Sequence, residues 1–198
     1  MNTTQTRTMA IFAALAALMA ATRFNHFGSA IALPDASCAV FFLGGLYFAR
    51  SGRVAMALFA ALILEAGLID CYATSVQGVS DWCISPAYWF LIPTYGSLWL
   101  AGRWAALRDA ARQHIPEGKA LAILAVTAWA ACSFAFVFSN ATFYLFSGYF
   151  ADIDAAGYAA RVAQYYVPYV SVALLYISCA VALHIAAAAI IRQKATTH

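Results

Sequence analysis

The sequence predicts an all-α, polytopic integral membrane protein with six transmembrane helices and both termini in the cytoplasm. Three observations carry that expectation: the apolar share of the chain, the spacing of its apolar runs, and the placement of its basic residues. Of 198 residues, 65% are hydrophobic and only 10% are charged, whereas soluble domains average about 25% charged. A soluble core of this size has no means of hiding so much apolar surface, so the expected solvent is lipid. The length suits one membrane domain, 1–198, and leaves no room for a separate nucleotide-binding domain. Neither GxxxxGK[ST] nor GxGxxG occurs, so neither phosphate-cradling signature is present.

Apolar runs of helix-compatible composition fall at about 9–23, 36–50, 53–72, 88–107, 119–140 and 166–191. Crossing about 30 Å of hydrocarbon takes roughly 20 residues, so the first two runs are short. The first follows Arg7 and has the outline of a secretory signal, but it is read here as the first helix. Its alanines recur every four residues, at Ala10/Ala14 and Ala13/Ala17/Ala21. Such small-residue stripes let membrane helices approach closely. Alanine-rich composition alone produces the same pattern; the functional reading is a docking face for another membrane subunit. Segment 24–35, FNHFGSAIALPD, either continues helix 1 to a turn at Pro34 or folds back at membrane depth, which is tolerated where backbone lines a cavity.

Orientation follows from the positive-inside rule. Arg7, Arg50, Arg53, Arg103, Arg108, Arg112, Lys119, Arg192 and Lys194 fall on one side of the six-span plan, nine of the eleven basic residues. The other side holds Arg23 and Arg161, together with Asp35, Asp70, Asp81, Asp152 and Asp154. Connections 1–2, 3–4 and 5–6 therefore face outward. They are long, at about 24–35, 73–87 and 141–165, and rich in aromatic and polar groups such as Asn25, His26, Phe27, Trp82, Tyr88, Tyr149 and Tyr158. An interfacial aromatic belt is the plain reading. A belt serves both interfaces, however, and the other side is poorer in aromatics. The outward excess points to a cup that takes a ligand from outside. No internal repeat is visible, which argues against an inverted-repeat transporter.

The five cysteines, Cys38, Cys71, Cys83, Cys132 and Cys179, form no CxxC pair and no finger-like spacing. Four sit in or beside apolar runs, where cysteine behaves as a small hydrophobe. Cys83 alone lies in a polar loop, in the stretch SDWCISPAY before helix 4. Pro86 is placed to open that helix, with Ser85 as its cap. A cysteine near a helix N-terminus is favoured as thiolate, and a thiolate ligates soft or borderline metal centres. The plain alternative is a free loop cysteine.

Intramembrane carboxylates face the bundle interior by default. Asp70, at the outer end of helix 3, reads as a polar contact in the cup or a solvated interfacial group. The deeper Glu65 reads as an internal hydrogen-bonding group. His184 reads as a satisfied interior histidine, and of the four histidines only His26 faces the cup. A metal site of His26, Asp70 and Cys83 is a further reading that the spacing does not demand.

Two stretches, DWCISPAYWFLIPTYGSLWLAGR at 81–103 and LPDASCAVFFLGGLYFAR at 33–50, resemble the BtuM-type cobalamin-specific S-components of energy-coupling-factor vitamin transporters. The SPAYWFLIP block is the most specific part, and the half from helix 5 onward is matched by hydropathy only. The resemblance implies the six-helix plan, a place in the bacterial inner membrane, and a bound corrinoid whose cobalt is ligated by Cys83. It implies that the corrin ring rests near Asp70, Asp81, Trp82, Ser85 and Tyr88, covered by Asn25, His26 and Phe27, with Arg161 toward the nucleotide phosphate. It further implies uptake of cobalamin, with Cys83 assisting loss of an upper-axial cyanide, and an energising module docking on helix 1 at Ala13, Ala17 and Ala21. Other readings stand beside it: an S-component for another vitamin or a metal ion, a membrane enzyme with Cys83 as nucleophile and His26 as base, or a structural subunit. Nothing in the sequence suggests nucleic acid as a partner.

Overall fold

Helices form where the apolar runs are, and the departures lie at their ends. The computed structural model describes residues 3–24, 33–78, 80–111 and 117–196. Among the described residues there is no strand. The helices are α1 (Thr3–Phe24), α2 (Ser37–Tyr47), α3 (Arg53–Ser75), α4 (Leu91–Ala111), α5 (Glu117–Phe146), α6 (Ala155–Ala163) and α7 (Tyr166–Thr196). Two short 3₁₀ turns, Asp81–Cys83 and Pro86–Phe90, join α3 to α4. Four segments, Thr3–Phe24, Arg53–Ser75, Gly118–Phe146 and Tyr166–Lys194, are long and apolar enough to cross a membrane.

The expected second span is cut short. Its helix stops at Tyr47, where the Phe48 N–H still bonds back to the Gly44 carbonyl at 3.0 Å. The chain then turns into α3 through Gly52 at φ +53°, a conformation that glycine adopts without steric cost. With 11 residues, α2 is about 16 Å long. It compensates by being the most enclosed element, since every residue from Ser37 to Gly45 is buried. Its neighbours are α4 above all, then α1, α7 and α3.

The α2–α4 contact is close enough to bring backbone against backbone at two glycines and an indole ring against a third. A Cβ on Gly45 would collide with the Trp99 carbonyl, one on Gly44 with the Trp99 ring, and one on Gly102 with the Phe42 carbonyl. Glycine here serves close helix approach, as it does generally between membrane helices. Aromatic packing continues the same core. Phe41 stacks on Tyr95 with centroids 4.2 Å apart, and Phe59 meets Trp99 edge-on at 5.3 Å.

The element that sequence reading missed is α6, inside the expected 141–165 loop. The chain leaves α5 through Gly148 at φ +81°. Asp154 then starts α6, its Oδ1 accepting from the Gly157 N–H at 2.8 Å as an N-cap does. One face of α6 buries Tyr158 against α5, where its ring packs on Tyr144 at 4.9 Å. Burial pushes the Tyr158 hydroxyl above its ordinary pKa. The first half of α7 packs through Tyr169, Val170, Ala173 and Ile177, and the rest is largely exposed. His184, expected in the interior, is exposed and lies beside Tyr47 at 5.8 Å.

Candidate ligand-binding cup

The C-terminal ends of α1, α3 and α5 gather with the N-terminal ends of α2, α4 and α7. Each of these helix ends is apolar except for a few side chains, and those few find one another. Arg23, at the last turn of α1, is 7% exposed. Its Nε donates to Asp70 Oδ1 at 2.6 Å and its NH2 to Asp70 Oδ2 at 2.5 Å. A guanidinium fits a carboxylate best in this two-bond form. The remaining terminal nitrogen, NH1, donates to Ser37 Oγ at 2.9 Å and Tyr95 OH at 3.2 Å. Tyr88 OH closes the set by donating to Asp70 Oδ2 at 2.8 Å. Four helices and one 3₁₀ turn are thereby tied at a single point.

Asp35 stands at the edge of this network. Its Oδ1 accepts from both the N–H and the hydroxyl of Ser37, at 2.9 and 2.6 Å, which starts α2. Its Oδ2 lies 3.6 Å from Arg23 NH1, an ionic contact longer than a hydrogen bond.

Above the network opens a cavity of about 390 Å³. Arg23, Asp35, Asp70 and Tyr95 form its floor, Tyr88 and Asn140 stand in its wall, and Trp82 and Phe143 belong to its rim. A second, more apolar cavity of about 290 Å³ lies between α3 and α4, and Tyr88 and Tyr95 border both. The rim is an aromatic cluster. Trp82 stacks on Tyr149 at 4.0 Å and 11°, and meets Phe150 edge-on at 6.4 Å. Phe150 in turn touches Phe143, Tyr144 and Tyr158. The turn before α4 is thus pinned to the α5–α6 connection.

Several expected site residues meet here, while others do not. Asp70, Trp82 and Tyr88 line the cavity. Asp70 is not an open ligand contact, because its two oxygens are taken by Arg23 and Tyr88. Cys83 ends the first 3₁₀ turn, and only its backbone is described. The second 3₁₀ turn follows it, so α4 begins at Leu91 and not at 88. Ser85 holds the N-cap position of that second 3₁₀ turn, not of α4, and its hydroxyl makes no capping hydrogen bond there. Its Oγ is buried with no partner among the described residues. Such an atom is rare, since burial without a hydrogen bond is costly. Asp81 is exposed beside the rim. Arg161 is exposed on the last turn of α6 and is not among the residues that line the cavity. Asn25, His26 and Phe27 lie outside the described residues.

Glu65 is half-buried on α3 and makes no hydrogen bond among the described residues, contrary to the expected internal bond. Among the described residues no three His, Cys, Asp or Glu side chains are grouped to hold a metal ion. Sequence reading did not single out Arg23, Asp35, Tyr95 or Asn140. A signal existed for the first: an arginine ending one apolar run and an aspartate ending another on the same side are natural partners. No family model matches the chain, and no curated protein matches it.

Proposed function

We propose that the chain is a six-span inner-membrane protein that binds and takes up a corrinoid, with Cys83 thiolate as the lower-axial ligand of its cobalt and the nucleotide base displaced. The observation that carries this reading is the aromatic-rimmed cup whose rim turn also contains Cys83. A corrin supplies four ring nitrogens of its own, so the protein owes the metal one ligand and not a cluster. A broad ring with an apolar face and an amide fringe suits a cup with aromatic walls and a hydrogen-bonding floor. The orphaned Ser85 hydroxyl, two residues from Cys83, is a group that a bound ligand would satisfy. In this reading the charge asymmetry puts both termini in the cytoplasm, and α2 and α4 complete the six spans under cover of their neighbours.

A thiolate on cobalt donates electron density and weakens the bond opposite. Cyanide would then leave with its electron pair as the anion, with cobalt still Co(III); reduction to Co(II) would take one electron per cobalt from an external thiol, two thiols giving one disulfide and two protons for every two cobalts reduced. No ATP-hydrolysing motif is present in this chain. Energised transport would come from a partner module, for which the exposed Ala13, Ala17 and Ala21 of α1 offer a face.

The test is an absorbance spectrum of purified protein mixed with cyanocobalamin. Wild type should shift the corrin bands, and Cys83→Ala should bind with the spectrum of the free ligand. If the two proteins give the same bound spectrum, Cys83 is not the cobalt ligand. If neither protein retains corrinoid, the functional reading falls as a whole.

A further inference from the structure

Among the described residues, the floor of the cup contains two carboxylates and one guanidinium, which together bear one formal negative charge. How that charge is distributed is decided by the hydrogen bonds. Arg23 is enclosed and gives four bonds to protein oxygens, of the five its guanidinium can give. Asp70 is 9% exposed and accepts from Arg23 on both oxygens and from Tyr88 on one. Asp35 differs from both. Its side chain is 34% exposed, it lines the cavity, and its Oδ2 takes no hydrogen bond among the described residues. It is therefore the acceptor left open in the floor.

We infer that Asp35 reads the ligand from the floor of the cup, accepting a hydrogen bond from a neutral primary amide or an ammonium and rejecting carboxylates and phosphates. The inference rests on the corrinoid reading, which it deepens. It assigns the floor to the amide fringe of the ring. It also sends the nucleotide phosphate elsewhere, because a second anion beside Asp35 meets no free cation among the described residues. Arg23 cannot serve as that cation without abandoning Asp70.

The test compares cyanocobalamin with its monocarboxylic acids, in which one ring amide is hydrolysed, one regioisomer at a time. Wild type should bind at least one regioisomer about 100-fold more weakly than the parent, since it loses a charge-assisted bond and gains a like charge. Asp35→Asn should bind the parent about tenfold more weakly and narrow the gap for that regioisomer to about tenfold or less. An asparagine keeps the oxygen that accepts from Ser37, so the start of α2 is preserved. Equal binding of parent and all regioisomers by wild type overturns the inference, and so does an Asp35→Asn protein with the wild-type gap.

If wild type retains no corrinoid, the corrinoid reading fails by itself. Asp35 is then tested by carbodiimide coupling of glycinamide followed by peptide mass spectrometry. Labelling of Asp35 with protection of Asp70 upholds Asp35 as the open acceptor. Equal labelling, or none at Asp35, overturns it.

Discussion

The α2–α4 seam and the cup solve opposite problems along the same helix, α4. Along the seam, Gly45 and Gly102 bring backbone against backbone, Gly44 takes the Trp99 ring, and none of the three leaves room for a single added carbon. At the cup end, a cavity of about 390 Å³ opens beside α4, lined also by α5 and the ends of α1 and α3, and a buried network of charged and hydroxyl groups ties these helices to the start of α2. The seam has no specificity to offer a ligand, because every surface there is already used. The cup has polar groups to spare, but an open cavity contributes no packing of its own. A hollow end is sustainable because a close-packed stretch fixes the helices that frame it. Where packing is dense, a change of one methylene is felt at once.

The largest effect should come from breaking the seam. Gly45→Ala places a methyl group where the Trp99 carbonyl stands, and backbone cannot yield as a flexible side chain can. The cost should exceed the usual overpacking range of about 1–3 kcal/mol. The expected outcome is loss of the monodisperse peak in detergent size-exclusion chromatography. Gly67→Ala is the matched control, since its Cβ would sit 4.0 Å from the Tyr88 hydroxyl, an ordinary contact. That variant should fold as wild type does. If both variants behave alike, the seam is not the tight element described here.

Breaking the ion pair should come next. Arg23→Leu strands Asp70 as an enclosed charge, which costs about 3–5 kcal/mol. The double variant Arg23→Leu/Asp70→Leu should recover much of that loss, because an apolar pair of similar volume avoids the desolvation penalty altogether. Thermal unfolding of the three proteins in one detergent checks this. A double variant less stable than Arg23→Leu would mean that the network contributes net stability beyond mutual neutralisation. Tyr88→Phe removes one donor from Asp70 and should cost less, about 1.5 kcal/mol. That variant should leave the seam intact, as read by an unchanged elution volume.

Legibility in the sequence divides along the same line. Long apolar runs announce themselves, and the helices α3, α5 and α7 start within two residues of the expected positions, at Arg53, Glu117 and Tyr166. The second run was harder, because Tyr47 through Gly52 reads as apolar and then basic with no mark of the early stop. The α6 helix was missed because its AAGYAARVA stretch is short and alanine-rich and lies between two aspartates and the tyrosines of α7. For the cup, residue type was informative where a polar group lay in an apolar run, as at Asp70. Partnership was not. Arg23 and Asp70 are 47 positions apart, and only their opposite charges at the same-side ends of two apolar runs hint at the pair, while Trp82 and Tyr149 are 67 apart with no signal that links them. The seam was equally hidden, since a glycine that permits close approach looks in sequence like any other glycine.

The smallest predicted effect is the one that best separates the two regions. The Trp82–Tyr149 stack lies on the rim, far in sequence from the seam glycines, and pins the turn that ends at Cys83. An aromatic pair of this kind contributes about 0.5–1.5 kcal/mol beyond its buried area. In a chain of this size each kcal/mol corresponds to roughly 2–4 °C in Tm, so Tyr149→Ala should lower the unfolding temperature only slightly. Its local consequence should be larger. A turn released from its stacking partner samples more open arrangements, and a thiol on it reacts faster with a water-soluble maleimide. The measurement follows Cys83 by peptide mass spectrometry, with Cys71 and Cys179, which lie on the protein surface of α3 and α7, read in the same digest as internal references. An accelerated Cys83 with unchanged Cys71 and Cys179 assigns the stack to the cup alone. Uniform acceleration of all three would mean that the rim shares its stability with the whole bundle, and the division between a rigid seam and an adaptable cup would have to be given up.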